Sequence, residues 1–195
     1  MAMKSICVFA GSSGAADPEL AGAARELGAA LLARQLGLVY GGARVGLMGI
    51  VADAVLAGGG RVVGVMPEFL ATKEIAHTGL SELKITPSMH ERKQAMAALA
   101  DGFIALPGGF GTLEEFFEMI TWAQLGLHAK PCALLNVNGY YDSLLGFLDT
   151  AVAKKLLRPE NRAMVLVSAE PLALLDQMQS YAAPAVPKWL SPERT

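Results

Sequence analysis

The chain has 195 residues, 53% of them hydrophobic, and a net formal charge of −2. That length suits one domain with a sizeable core, and the weak negative charge excludes a nucleic-acid surface built on bulk positive potential. A small-molecule partner is expected instead; with no N-terminal signal pattern and no run of about 18 apolar residues, no membrane is expected and the protein is read as cytoplasmic.

Ser5 to Ala10 reads as a first strand ending in Gly11-Ser12-Ser13-Gly14, and Pro18 to Gln35 follows with apolar residues at helical spacing, among them Leu20, Ala24, Leu27, Leu31 and Leu32. Leu38 to Tyr40 ends at Gly41-Gly42, and Val45 to Ala57 forms the next helix, stopped by Gly58-Gly59-Gly60. Arg61 to Met66 is the third strand. Further apolar runs at Asp101–Leu106, Pro131–Val137 and Ala163–Val167 each precede a helical stretch. Cys7 and Cys132 fall inside buried strands, where a lone thiol serves as a small apolar filler.

Strands that are apolar throughout, alternating with helices, predict a parallel sheet covered on both faces. The expected fold is α/β, a single Rossmann-like doubly wound domain over residues 1–183, with an irregular proline-containing tail at 184–195. Ligands in such sheets bind beyond the carboxyl ends of the strands, so Gly11-Ser12-Ser13, Gly41-Gly42, Met66-Pro67 and Pro107-Gly108-Gly109 should share one crevice. A polar segment from Glu68 to Gly79 fits a flap over that crevice, and equally fits an ordinary connection.

The densest motif is Pro107-Gly108-Gly109-Phe110-Gly111-Thr112-Leu113-Glu114-Glu115, placed between a strand and a helix. Its glycines leave backbone N–H groups open, and the helix behind them adds a positive dipole end, which together make a phosphate cradle. The third position of a dinucleotide fingerprint is Glu114 rather than glycine, which disfavours NAD, and no Gly-Lys-Ser or Gly-Lys-Thr loop exists for ATP hydrolysis. No zinc-type spacing joins His77, His90 and His128, and no nucleophile elbow is present. Neither metal nor cofactor is expected.

A second cluster, Ser88-Met89-His90-Glu91-Arg92-Lys93, opens another helix. Two cations in a first turn oppose the helix dipole by roughly 0.3–1 kcal/mol each, so something negative should compensate them. Ser88 with Glu91, and Thr112 with Glu115, also have capping-box spacing, which leaves a purely structural reading of both acids open. A carboxylate near a phosphate site has a further use, because a ribose losing its base acquires oxocarbenium character that such a group stabilises.

Pro107-Gly108-Gly109-x-Gly111-Thr112-x-x-Glu115 with Met89-x-x-Arg92-Lys93 strongly resembles the Lonely Guy family of cytokinin-activating nucleotide phosphoribohydrolases, once widely mislabelled as lysine decarboxylases. Gly41-Gly42, Gly46-Leu47-Met48-Gly49 and Trp122-Ala123-Gln124-Leu125-Gly126 extend the likeness over nearly the whole chain. The resemblance implies hydrolysis of the N-glycosidic bond of AMP or its N6-substituted derivatives, giving free base and ribose 5-phosphate, and a homodimer. It assigns Arg92 and Glu115 as the catalytic pair. Gly108, Gly109, Gly111 and Thr112 match the phosphate loop, with Phe110, Leu113 and Glu114 in the same motif and Lys93 beside Arg92. Phe110 stands where the family often has tyrosine, which leaves the backbone cradle intact. Met89 and Glu91 are expected to border base and sugar, Ser12, Ser13 and Gly42 to complete the substrate site, and Glu74 and Thr121 to contribute from the flap and the helix. A non-catalytic nucleotide-binding or carrier module is the rival reading, since fold and phosphate loop alone do not make an enzyme.

Overall fold

Seven parallel strands form one sheet in the order β4-β3-β2-β1-β5-β6-β7 in the computed structural model, which describes residues 3–14, 17–71 and 76–184. Glu74, and the tail from 185 onward, lie outside the described residues. The strands are β1 Ser5–Phe9, β2 Gly37–Tyr40, β3 Val62–Pro67, β4 Glu82–Thr86, β5 Gly102–Ala105, β6 Cys132–Leu135 and β7 Val165–Ser168. Between them run α1 Pro18–Ala33, α2 Gly46–Ala57, the short α3 Glu68–Ala71, α4 Met89–Leu99, α5 Phe110–Gln124, α6 Asp142–Ala153, the short α7 Pro159–Arg162 and α8 Pro171–Gln179. The expected α/β doubly wound sheet is therefore the observed one, with element ends displaced by one or two residues.

Alternate residues of the central strands feed two cores. Ile6 and Val8 of β1 point to the side covered by α1, α2 and α8, where they meet Leu27, Leu31, Val51 and Leu174. Cys7 and Phe9 point to the other side and meet Met96, Phe103, Phe116 and Met119. Both faces are thus buried, which is why the central strands carry no polar alternation. Local signals set the helices between them: Asp17 caps α1, its carboxylate accepting from the Glu19 N–H, and Pro18 occupies the first turn, where no N–H is needed.

Strand β4 was the least legible element. It lies at the sheet edge with Glu82 to Ile85 exposed, so it lacks the apolar run that marked its neighbours, and its charged side chains suit an unpaired edge. On the opposite side of β1 the strand order reverses: β1 pairs with β2 on one side and with β5 on the other. The crevice between the β1 and β5 loops is the topological switch point where such sheets bind ligands.

Candidate active site

A cavity of about 620 Å³ opens at that switch point. Gly11 and Ser12 line it from the loop after β1, Gly41, Ala43 and Val45 from the loop after β2, and Met66 from the end of β3. Met48 of α2, Leu70 of α3, Met89 and Arg92 of α4, and Gly109 to Thr112 with Glu115 at the start of α5 also line it. The loops brace one another: the Gly11 N–H donates to the Pro107 carbonyl at 3.2 Å, and the Leu47 N–H donates to the Gly11 carbonyl at 3.0 Å.

Helix α5 begins at Phe110 with Gly109 as its N-cap, and no side chain among the described residues caps it. Its first intrahelical bond runs from the Leu113 N–H to the Gly109 carbonyl. The N–H groups of Phe110, Gly111 and Thr112 precede that bond and have no partner within the helix, so they are available to an anion at the positive end of the dipole. Thr112 is the third helical residue and Glu115 the sixth, so these two do not form a capping box. Thr112 is instead buried with its hydroxyl against Gly108, where an added Cβ would come within 2.1 Å of Oγ1. Only glycine fits at that position.

Arg92 is 7% exposed. Its Nε donates to the Val65 carbonyl at 3.0 Å and its Nη1 to Glu115 Oε1 at 2.5 Å, which locks the guanidinium between the β3 terminus and α5. The guanidinium passes over Gly41, where a Cβ would lie 2.4 Å from Nη2. Burial pushes the Glu115 carboxyl above its ordinary value of 4.5, and the Arg92 charge and hydrogen bond pull it part of the way back. Lys93 points elsewhere. Its Nζ contacts Glu114 at 2.6 Å and Glu118 at 3.0 Å. Burial opposes the Lys93 charge, but the two carboxylates outweigh it and raise the amine's pKa. The cations at the start of α4 are therefore compensated by carboxylates of α5.

Of the residues singled out from the sequence, Arg92, Glu115, Gly109, Phe110, Gly111, Thr112, Met89 and Ser12 line the cavity. Gly41 does so in place of Gly42, whose carbonyl accepts from the His77 N–H at 2.9 Å. Glu91 sits in a cap: Ser88 Oγ accepts from its N–H at 3.2 Å and donates to its Oε1 at 3.3 Å. Thr121 lies far along α5, its hydroxyl donating to the Phe117 carbonyl at 2.7 Å. Leu113, Glu114, Lys93 and Ser13 are not among the lining residues, and Glu74 lies outside the described residues.

A family model described as a possible lysine decarboxylase matches residues 48–178. Over 177 residues the chain is 50% identical to LOGL6, a probable cytokinin riboside 5'-monophosphate phosphoribohydrolase of Oryza sativa subsp. japonica, covering 91% of this chain and 71% of the relative. It is also 50% identical over 178 residues to the cytokinin riboside 5'-monophosphate phosphoribohydrolase LOG7 of Arabidopsis thaliana, covering 91% and 82% respectively. This chain belongs to the Lonely Guy family. The Lonely Guy fold extends to more distant proteins: the molybdenum cofactor carrier protein of Chlamydomonas reinhardtii superposes with a TM-score of 0.70 at 20% identity, covering 91% of this chain and 99% of the other.

In the apolar wall of this Lonely Guy site, Met66 stands at a strand end expected in the crevice and Leu70 in the segment that fits a flap, whereas Val45 and Met48 had no sequence signal as site residues, because such residues read as core. A second feature was equally silent. His77 is buried, its Nε2 lies 2.9 Å from Asp53 Oδ1, and its Nδ1 accepts from the Gly79 N–H at 3.0 Å, an arrangement that places the ring proton on Nε2. With the Ala43–Ala76 bridge, it fastens the described end of the 68–79 segment to α2 and the Gly41–Ala43 loop.

Proposed function

We propose that this protein hydrolyses the N-glycosidic bond of AMP and N6-substituted adenosine 5'-monophosphates, releasing the free base and ribose 5-phosphate. The observation that carries the proposal is the Arg92–Glu115 ion pair beside the uncapped start of α5. A phosphate held by the α5 N–H groups would place the ribose in the cavity that Glu115 also lines. As the C1'–N9 bond breaks, its electron pair leaves with the base, and the sugar acquires positive charge that the carboxylate stabilises. Water adds hydroxide to C1', and its proton goes to the departing base. Arg92 keeps Glu115 oriented and contributes a fixed charge without reorganisation.

Val45, Met48, Met66 and Leu70 offer the base and an apolar N6 substituent an adaptable wall. Cytokinin riboside 5'-monophosphates, which name the activity of the relatives, carry such a substituent. Decarboxylation has no comparable support, since no lysine is among the described lining residues and Lys93 is held by two carboxylates. We take the protein to work as a single-domain homodimer in the cytoplasm, with neither metal nor cofactor. Sedimentation at micromolar concentration tests the dimer, and a monomer would refute it.

The test of the activity is incubation with AMP and with isopentenyl-AMP, followed by assay of base and ribose 5-phosphate. Release in equal amounts is expected. Tight AMP binding without release would favour the non-catalytic carrier.

A further inference from the structure

Four consecutive carbonyls on the approach to α5 are each held by a donor. The Leu106 carbonyl accepts from the Tyr141 hydroxyl at 2.7 Å and the Pro107 carbonyl from the Gly11 N–H at 3.2 Å. The Gly108 carbonyl accepts from the Tyr140 hydroxyl at 2.8 Å, and the Gly109 carbonyl from the Leu113 N–H at 3.1 Å. Two of these four donors are adjacent tyrosines from a different loop, the one after β6.

That loop is built to present them. The Asn136 N–H donates to the Ser168 carbonyl at 2.8 Å, its Oδ1 accepts from the Tyr141 N–H at 2.7 Å, and its Nδ2 donates to Asp142 Oδ1 at 2.7 Å. Asn138 and Gly139 take positive φ, 49° and 73°, to turn the chain sharply between these anchors. The two rings then meet edge to face, 5.0 Å apart and at 88°. Tyr141 is buried, and burial keeps its hydroxyl protonated and donating. Tyr140 is 48% exposed, so its ring contributes little to the core.

A trans peptide is planar, with C=O and N–H on opposite sides, so fixing the Gly108 carbonyl fixes the Gly109 N–H. The constraint matters because the unit joins two glycines, and a Cβ at Gly109 would meet nothing within 4 Å. Gly108 is braced by Thr112, but on the Gly109 side nothing among the described residues packs close enough to resist a rotation that would turn the Gly108 carbonyl toward a bound anion. We propose that Tyr140 is a positioning residue of the site: its hydroxyl holds the Gly108–Gly109 peptide with the N–H facing the phosphate, on a platform completed by Tyr141. This rests on the reading of the loop as the phosphate anchor.

The test is Tyr140→Phe, which keeps the ring and removes only the hydroxyl. AMP and inorganic phosphate binding are measured by calorimetry, with kcat and KM for AMP and the melting temperature alongside. The expected result is phosphate and AMP affinity weakened about tenfold, KM raised to match, kcat within about twofold and an unchanged melting temperature, as for the loss of one hydrogen bond that orients a donor. Adenosine, which lacks the phosphate, should bind the variant and the wild type alike. Wild-type affinity for phosphate and AMP in the variant would overturn the role of Tyr140, as would a fall in kcat alone, and either would leave the hydrolytic reading standing. AMP that binds but is not cleaved by the wild type would sink hydrolysis, while the binding comparison still decides for or against Tyr140. If the wild type bound neither AMP nor phosphate, the anchor and Tyr140's role in it would both be overturned.

Discussion

The guanidinium of Arg92 donates to the Glu115 carboxylate at 2.5 Å, and both side chains are largely withdrawn from solvent, 9% and 13% exposed. A pair in that position joins α4 to α5 directly beside the free N–H groups at the start of α5. Buried pairs stabilise a fold only weakly, because desolvation of both ions offsets their attraction. In the proposed hydrolysis its value would lie in orientation and charge.

Removing the cation breaks the pair unequally. Arg92→Ala leaves Glu115 buried without its partner, and a loss of about 3–5 kcal/mol in stability is expected for such an uncompensated charge unless the acid takes up a proton. Its carboxyl should then rise further above 4.5, and AMP hydrolysis should fall at least about a hundredfold. Denaturant unfolding at several pH values and a base-release assay measure both effects. Wild-type turnover would rule out a role for Arg92.

Glu115 also sets a pH dependence whose two signs differ. In the proposed reaction the carboxylate is the active form, so the acid limb of kcat/KM should fall off at a pH above 4.5, the ordinary value for the group. Stability runs the other way. Because the folded chain binds this proton more tightly than the unfolded chain, the contribution of Glu115 is greatest at low pH and is lost as pH rises from 4.5 through the raised folded value. A pH–rate profile whose acid limb lies at or below 4.5 would contradict the assignment of the carboxylate.

Gly41 tests the same geometry from beneath. The Cβ of Gly41→Ala would lie 2.4 Å from Arg92 Nη2, and the guanidinium cannot yield without loosening its bonds to Val65 or Glu115. Hydrolysis should drop about tenfold or more, with about 1–3 kcal/mol lost in stability from overpacking. Gly14→Ala, where nothing lies within 4 Å, is the matched control in a neighbouring loop. Equal activity in the two variants would show that the position of Arg92 is not critical.

The sheet was legible because its central strands are buried on both faces and their apolar runs are unbroken; β4 was not, because its exposed edge carries Glu82 and Lys84. The glycine turn proposed as the phosphate loop stood out in the sequence because its chemistry would lie in the backbone, which glycines announce. Thr112 and Glu115 stayed ambiguous in the sequence, since a capping box and a helix beginning at Phe110 share the same letters. The N-cap at Gly109 separates the two. Tyr140, Tyr141 and His77 act through hydrogen bonds to backbone or to a distant carboxylate, pairings that periodicity does not encode.

The proposed hydrolysis requires Glu115 to act on the bond between ribose and base while the α5 loop holds the phosphate. Glu115→Gln keeps the side-chain shape, so AMP affinity and adenine release can be compared with the wild type in one set of reactions. Such a role for Glu115 should give release of adenine and ribose 5-phosphate by the wild type, and AMP affinity within about threefold in the variant with turnover reduced at least about a hundredfold. Wild-type turnover in the variant, or no turnover in either protein, would contradict it.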